Sequence, residues 1–289
     1  NADFAYGVWV TGGVMNRPRY NGAGAGASST SALYFGGNYP PGDNFATQTE
    51  LWDGTNWTEV NDLNTGREGL AGDGTQTAAL AFGGNNPSTT IKNSTEQWNG
   101  TNWTAVNNLN TARKSLKGAG TSTAALAFGG DIAPASPRPQ DLTELWNGTN
   151  WTEVNDLNTA RFVAAGSGTS TAALGFGGYD FDPNYTAATE LWNGTNWTEV
   201  NDLNLARYSL AGTGTSTASL AIMGAPSGSV EQWNGTNWTN ENNVNTERSN
   251  ASANGTTTSA VVYGGNNTEG VGGQTEEWVP DGAVSENIE

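Results

Sequence analysis

The residues best suited to chemistry are six arginines and six glutamates that recur in step. The arginines are Arg19, Arg67, Arg113, Arg161, Arg207 and Arg248. The glutamates are Glu50, Glu96, Glu144, Glu190, Glu231 and Glu276, each two residues before a tryptophan. A ring of guanidinium groups around one mouth would bind carboxylate or phosphate. The matched numbers favour another reading, in which each Arg meets a Glu in a repeated buried ion pair. Such pairs specify geometry more than they add net stability, and bidentate carboxylate binding explains why Lys never replaces Arg. The rest of the catalytic inventory is thin. The chain has no His and no Cys, so it lacks a Ser–His or Cys–His nucleophile and an imidazole metal ligand. A glycosidase built on paired carboxylates is the remaining enzymatic route, but nothing marks a particular pair. No catalytic residue and no enzyme activity are expected.

Those twelve residues sit in a repeat with a period of about 46 residues, and a period of that size signals a propeller or solenoid. The stretch TELWNGTNWTEVNDLNTAR from Thr143 to Arg161 recurs nearly unchanged up to Arg67 and Arg207, and more loosely up to Arg113 and Arg248. One copy parses into four short strands. After Arg161 comes a small-residue segment, Phe162 to Gly168, then a period-two alternation from Ser170 to Phe176 that reads as a strand. Gly177-Gly178 ends it, and a variable loop runs from Tyr179 to Thr189. Glu190-Leu191-Trp192 opens a third strand, and Thr195 to Val200 forms a fourth. Asn193-Gly194 between them predicts a type I′ hairpin turn, with positive φ at both residues. We label the strands a to d from the axis outward. The glycine-rich a segment lies innermost, where backbones crowd.

Arginines, Gly doublets and first tryptophans all count to six, with Met223-Gly224 the one departure among the doublets. The first tryptophans are Trp52, Trp98, Trp146, Trp192, Trp233 and Trp278, and the first five are followed five residues later by a second. Trp278 has none. Its partner is Trp9, which lies ten residues before Arg19 as Trp57 lies ten before Arg67. Residues 4–15 are therefore expected to supply the outer strand of the last blade. The predicted fold is all-β: one domain, residues 1–289, forming a six-bladed β-propeller of four-stranded antiparallel blades with 3+1 closure, which leaves no open ring edge. Repeated tryptophans between blades are expected as core.

A Gly doublet ending strand b, a Glu two before an aromatic on strand c and a Trp on strand d resemble the kelch repeat over essentially the whole chain. The chain differs from that pattern in its shorter c–d turn and in Trp where kelch blades carry Tyr. The wording WNGTNWTEVNDLNTAR is similar to repeats in proteins of marine bacteriophages. The resemblance implies a propeller and leaves function open, because kelch folds host enzymes, scaffolds and binders. The copper-radical oxidases of similar architecture need His ligands and a Tyr–Cys pair, which this chain lacks.

The net charge is −17, from 11 basic and 28 acidic residues. That argues against nucleic acid, which needs clustered Lys and Arg, and against anionic membranes. No apolar run reaches membrane-spanning length, so no membrane insertion is expected. The chain starts at Asn1 without an apolar leader and is expected to be processed or part of a longer polypeptide. Asn-X-Thr triplets such as Asn147-Gly148-Thr149 and Asn150-Trp151-Thr152 are expected to be structural.

Where the copies disagree, function is expected. The b–c loops differ in every blade, as do the residues after each Arg: Tyr20, Glu68, Lys114, Phe162, Tyr208 and Ser249. Both sets fall on one face. Two loops combine aromatics with acids, YPPGDNF (Tyr39, Asp43, Phe45) and YDFDPNY (Tyr179, Asp180, Phe181, Asp182, Tyr185). With Tyr20, Phe162 and Tyr208 they form the expected ligand-binding set. Aromatic faces stack on sugar rings while Asp and Asn hold hydroxyls. Asp180, Asp182 and Asn184 have the D-x-D-x-N spacing of a Ca2+ loop, but the required Gly and Glu are replaced by Tyr185 and Leu191. Pro134, Pro137 and Pro139 stiffen a third loop. The expected function is a non-enzymatic module, with no cofactor beyond that Ca2+ option. It would be a virion- or surface-attached adhesin, extracellular or on a virion, that recognises glycans. The alternative is a structural capsid or tail decoration whose loops contact another virion or surface protein. An oligomer or a larger assembly is compatible with either.

Overall fold

The computed structural model describes residues 7–40, 44–86, 90–133, 138–180, 185–267 and 270–280. Six four-stranded antiparallel sheets stand around one axis. Strands a to d are Ala23–Ser28, Ser31–Phe35, Thr49–Trp52 and Trp57–Val60 in blade 1, and Ala71–Thr75, Ala78–Phe82, Thr95–Trp98 and Trp103–Val106 in blade 2. Blade 3 has Lys117–Thr121, Ala124–Phe128, Thr143–Trp146 and Trp151–Val154, and blade 4 has Ala165–Thr169, Ala172–Phe176, Thr189–Trp192 and Trp197–Val200. Blade 5 has Ala211–Thr215, Ala218–Ile222, Val230–Trp233 and Trp238–Glu241. Blade 6 takes Ser252–Thr256, Ser259–Tyr263 and Thr275–Val279 from the C-terminal end and Val8–Thr11 from the N-terminal end. Each strand a lies beside the strands a of its two neighbours, which closes the ring. The closure is the predicted 3+1 type, with Trp9 opposite Trp278 in register.

Each tryptophan pair faces across strands c and d, with ring centroids 5.3–5.5 Å apart. All twelve are buried. The strand-c indole donates to a carbonyl in the a–b turn of its own blade, as Trp192 does to Ser170 at 3.0 Å. The strand-d indole reaches the preceding blade. Trp57, Trp103, Trp151, Trp197 and Trp238 donate to the hydroxyls of Thr275, Thr49, Thr95, Thr143 and Thr189 at 2.8–3.1 Å. Trp9 meets Val230 at that place and donates instead to the Asn242 carbonyl at 3.1 Å. Each blade thus sits on its predecessor by apolar burial and one directed bond, which keeps the polar edge of a buried ring satisfied.

The c–d turn differs from the predicted type I′. It takes four residues, so strand d begins at Trp197 rather than Thr195. Of Asn193 and Gly194 only the glycine has positive φ, at +92°. The Asn193 side chain accepts the N–H groups of Thr195 and Asn196, both at 2.9 Å, and this Asx turn replaces the tight hairpin. In blade 1 Asp53 does the same, and the N–H groups of Asn56 and Thr55 hold its carboxyl below the ordinary value. Strand b also starts later than predicted, at Ala172, because Ser170 and Thr171 form the a–b turn. The Asn of the second predicted sequon is engaged as well: Asn150 accepts from Asn107 of the preceding blade at 2.8 Å.

The Arg–Glu pairs form, with N···O separations of 2.5–3.2 Å, but not in the expected bidentate manner: Arg161 gives one N–H to Glu190 Oε1 and donates its others to the carbonyls of Thr159, Gly177 and Ala188. The pairs pin the d–a links. Glu190 accepts from Arg161, from the backbone N–H of Asn158 at 2.7 Å and from the Asn158 amide at 2.8 Å. Asn158 then donates to the Trp197 carbonyl at 3.2 Å. Burial pulls the Arg161 guanidinium below its ordinary pKa, and Glu190 opposes that shift. Glu190 is surrounded by donors, and a carboxamide would offer one acceptor fewer and add two donors. Glu190→Gln is expected to cost about 3–5 kcal/mol, the range for breaking a buried pair. Glu199→Gln, on the exposed strand opposite, should stay within about 0.5 kcal/mol. Urea unfolding of both variants checks this; equal small effects would refute the pinning role.

Candidate binding face and axial channel

The face that carries the b–c loops and d–a links is built from six equivalent backbone pairs. The residue after each Arg pairs antiparallel with the residue after each Gly doublet: Tyr20 with Asn38, Glu68 with Asn85, Lys114 with Asp131, Phe162 with Tyr179, Tyr208 with Ala225 and Ser249 with Asn266. The doublets permit this because both residues turn left-handed, as Gly83 and Gly84 do at φ +70° and +96°. Met223 takes the same conformation at φ +57° despite its side chain. The scaffold is therefore constant, and each blade presents a different pair of side chains on it.

Four of the predicted ligand-binding residues come together across blades 4 and 5. Phe162 and Tyr179 have centroids 5.5 Å apart, Tyr179 and Tyr208 5.6 Å, and Tyr208 and Tyr185 5.6 Å. Tyr185 is exposed and the other three are half-buried, so the group is a wall rather than a core. Asp180 lies beside it, with a buried Oδ1 that has no hydrogen-bond partner. Tyr20, Tyr39 and Phe45 do not join this wall. They belong to blade 1, two blades from blade 5 and three from blade 4, where Tyr39 and Phe45 lie on a two-stranded ribbon of Asn38–Tyr39 and Asn44–Phe45. There Arg17 covers the Tyr39 ring at 4.6 Å. Asp43, Phe181, Asp182 and Asn184 lie outside the described residues, as do Pro134 and Pro137. Among the described residues no group of three or more carboxylates converges as a metal site.

Inside this face lies a feature that side-chain comparison misses. Asn21, Gly69, Ser115, Val163, Ser209 and Asn250 all have left-handed φ, between +47° and +59°. The N–H of each donates to the carbonyl of its counterpart in the preceding blade, at 2.6–3.1 Å, from Asn21 to Asn250 and around to Asn250 to Ser209. Six backbone bonds thus make a closed belt around the axial mouth. Val163 is β-branched and strained in this conformation, yet the belt holds it there.

Below the belt runs an axial cavity of about 160 Å³, walled by strand a of all six blades. Two charged residues line it that sequence reasoning passed over, Asp73 and Lys117. The signal was present: at the position of Asp73 the other blades carry Ala25, Ala119, Ser167, Thr213 and Asn254. Ser167 and Thr213 bond to blade 5 and blade 6 respectively, and Asn254 to the Tyr263 hydroxyl. Asp73 turns toward Gly118, where a Cβ would meet its Oδ2 at 2.3 Å, and that oxygen has no partner. Burial pushes the Asp73 carboxyl up to about 8 and pulls the Lys117 ammonium down to about 8.

No protein-family model matches the chain, and no curated protein matches it.

The Asp73 shift has a definite sign. Below the ordinary value of 3.8 the carboxyl is protonated whether the chain is folded or unfolded, and it costs nothing. As pH rises toward about 8 the unfolded chain ionises first, so stability falls; above about 8 the loss is complete. Asp73→Asn removes this loss. Its advantage over the native chain is expected to be negligible near pH 4, to grow to more than about 2 kcal/mol by pH 8, and then to level off. Urea midpoints across that range test it; a pH-independent difference would exclude a buried neutral carboxyl.

Proposed function

We propose that this protein is a non-catalytic binding module that recognises glycans through its variable face. It is a kelch-type propeller, displayed on a virion or other surface, as the similarity of its repeat to marine bacteriophage repeats implies. The observation that carries the reading is the aromatic wall of Phe162, Tyr179, Tyr208 and Tyr185. The four rings come from two blades and from the most variable positions, outside the repeated scaffold. Tyrosines supply rigid amphipathic contact area at low entropic cost. A sugar ring presents an apolar C–H face to such a wall and hydroxyls to a neighbouring acceptor, and Asp180, next in the chain to Tyr179 and half-buried, carries a carboxylate there. The polar group beside an aromatic surface is the usual composition of a small-ligand site.

The stacked Arg17–Tyr39 pair on blade 1 favours a second reading, contact with another virion protein. Arg and Tyr are enriched where protein interfaces concentrate their energy. The two readings separate on a glycan panel probed with the protein and with Tyr185→Ala and Tyr208→Ala. Glycan recognition requires binding to at least one sugar and a loss of about tenfold or more in Tyr185→Ala, with unchanged thermal unfolding, because that ring is exposed. Absence of binding to every sugar, together with Arg17-dependent attachment to a particle protein, would overturn it.

A further inference from the structure

We infer that the axial channel is a second binding site and takes a small zwitterion, a free α-amino acid, with its ammonium on Asp73 and its carboxylate on Lys117. The site is separate from the aromatic wall and does not rest on the glycan reading.

The channel holds one acid and one base. Strand a of all six blades lines it, mostly with Gly, Ala, Ser and Thr, and Asp73 and Lys117 are the two charged side chains among them. The repeat does not call for either. At the register position of Lys117, blades 1, 2, 4 and 5 carry Ala23, Ala71, Ala165 and Ala211. At that of Asp73, blades 1 and 3 carry Ala25 and Ala119. The same strand therefore forms with alanine at both places.

Neither charge is met by the protein. Asp73 is 8% exposed, and its Oδ2 is buried without a hydrogen-bond partner. Lys117 forms no ion pair among the described residues, with Asp73 or with any other acid. Burying a charge without a partner is costly, and burial is what moves both groups toward about 8. A lone cation or a lone anion would satisfy one of them and leave the other uncompensated. A zwitterion satisfies both and adds no net charge to the channel.

The spacing suits such a guest. Lys117 pairs with Phe128 as Ala71 pairs with Phe82, so it stands two residues from the level of Asp73, on the adjacent blade. Two residues of strand span about 7 Å. Two charge-assisted bonds of about 2.8 Å, with one amino-acid backbone between them, cover that offset. Lys117 also lines the mouth, so it stands on the entry side. Strand a is terminal in every sheet, so its unpaired backbone edge faces the guest as well. The cavity of about 160 Å³ has the volume of about five waters, which suits glycine or alanine better than a bulky side chain.

The test is calorimetric titration of the full chain with glycine, L-alanine, L-tryptophan, acetate and methylammonium. Glycine or alanine is expected to bind, and the other three to bind about tenfold more weakly or worse. Asp73→Ala and Lys117→Ala introduce the residue that other blades carry there, so both should stay folded by thermal unfolding. Each should weaken the amino acid about tenfold or more, as should the near-isosteric Asp73→Asn, while Tyr185→Ala should leave it unchanged. Binding should be strongest near pH 8. Below that the Asp73 carboxyl must first give up its proton, and above it the Lys117 ammonium has lost its own. No other titratable residue lines the channel, and Tyr34 and Tyr263, packed against its glycines, are kept neutral by burial. Absence of binding by both small amino acids would overturn the site. Acetate or methylammonium binding as tightly as alanine would show a single-ion site, and tryptophan doing so would place the guest outside the channel. Affinity unchanged in both alanine variants would do the same, and each of these results overturns the assignment.

Discussion

The buried glutamate of strand c is the constraint on which the rest of the molecule depends. A carboxylate without solvent must be met by donors, and here it is met by a guanidinium and by link backbone. Glu144 illustrates the consequence. It takes Arg113, the N–H of Asn110 and the N–H of Thr111, so three successive features of one link converge on one side chain. With the link held, the residue after the arginine has one place to go, and the next residue is forced left-handed into the mouth belt. Replacing such a pair by apolar groups would leave the link N–H groups orphaned, which is why it differs from an isolated buried ion pair.

Blade 5 shows how much departure this plan tolerates. Its b–c loop is the shortest, Met223 replaces a glycine, and Val230 replaces the threonine that elsewhere accepts an indole. Arg207 still reaches Glu231 at 3.1 Å, although neither of the two facing atoms makes an aligned hydrogen bond. The blade keeps its four strands because the tryptophan pair, the Asn201 contact to the next turn and the belt all persist. Six near-equal units closing on one another share the load, and a local defect does not open the ring.

Much of the fold was legible in the repeat. The missing partner of Trp278 placed the N-terminal strand in blade 6, because an indole on strand d has no other blade to complete. The matched Arg and Glu counts announced the ion pairs. The turn type was not legible, because Asn-Gly permits a tight hairpin and a four-residue Asx turn alike, and the Trp52–Trp57 style of pairing selects the longer one. The candidate site was only half legible. Variation marked the face and its aromatics, but Tyr39 and Phe45 resembled Tyr179 and Tyr185 in sequence and stand on the far side of the ring.

What the sequence determined by itself is periodic: blade number, strand order, closure, and which side chains repeat to serve the scaffold. Periodicity suffices because each blade buries its faces only against another blade. What the tertiary structure alone decided is what happens between non-equivalent copies. It brought Phe162, Tyr179, Tyr185 and Tyr208 into one wall. It turned Asp73 toward a glycine in the axial channel. It also made the mouth belt from Asn, Gly, Ser and Val alike, because the bonding groups are backbone N–H and C=O, which every one of these residues carries.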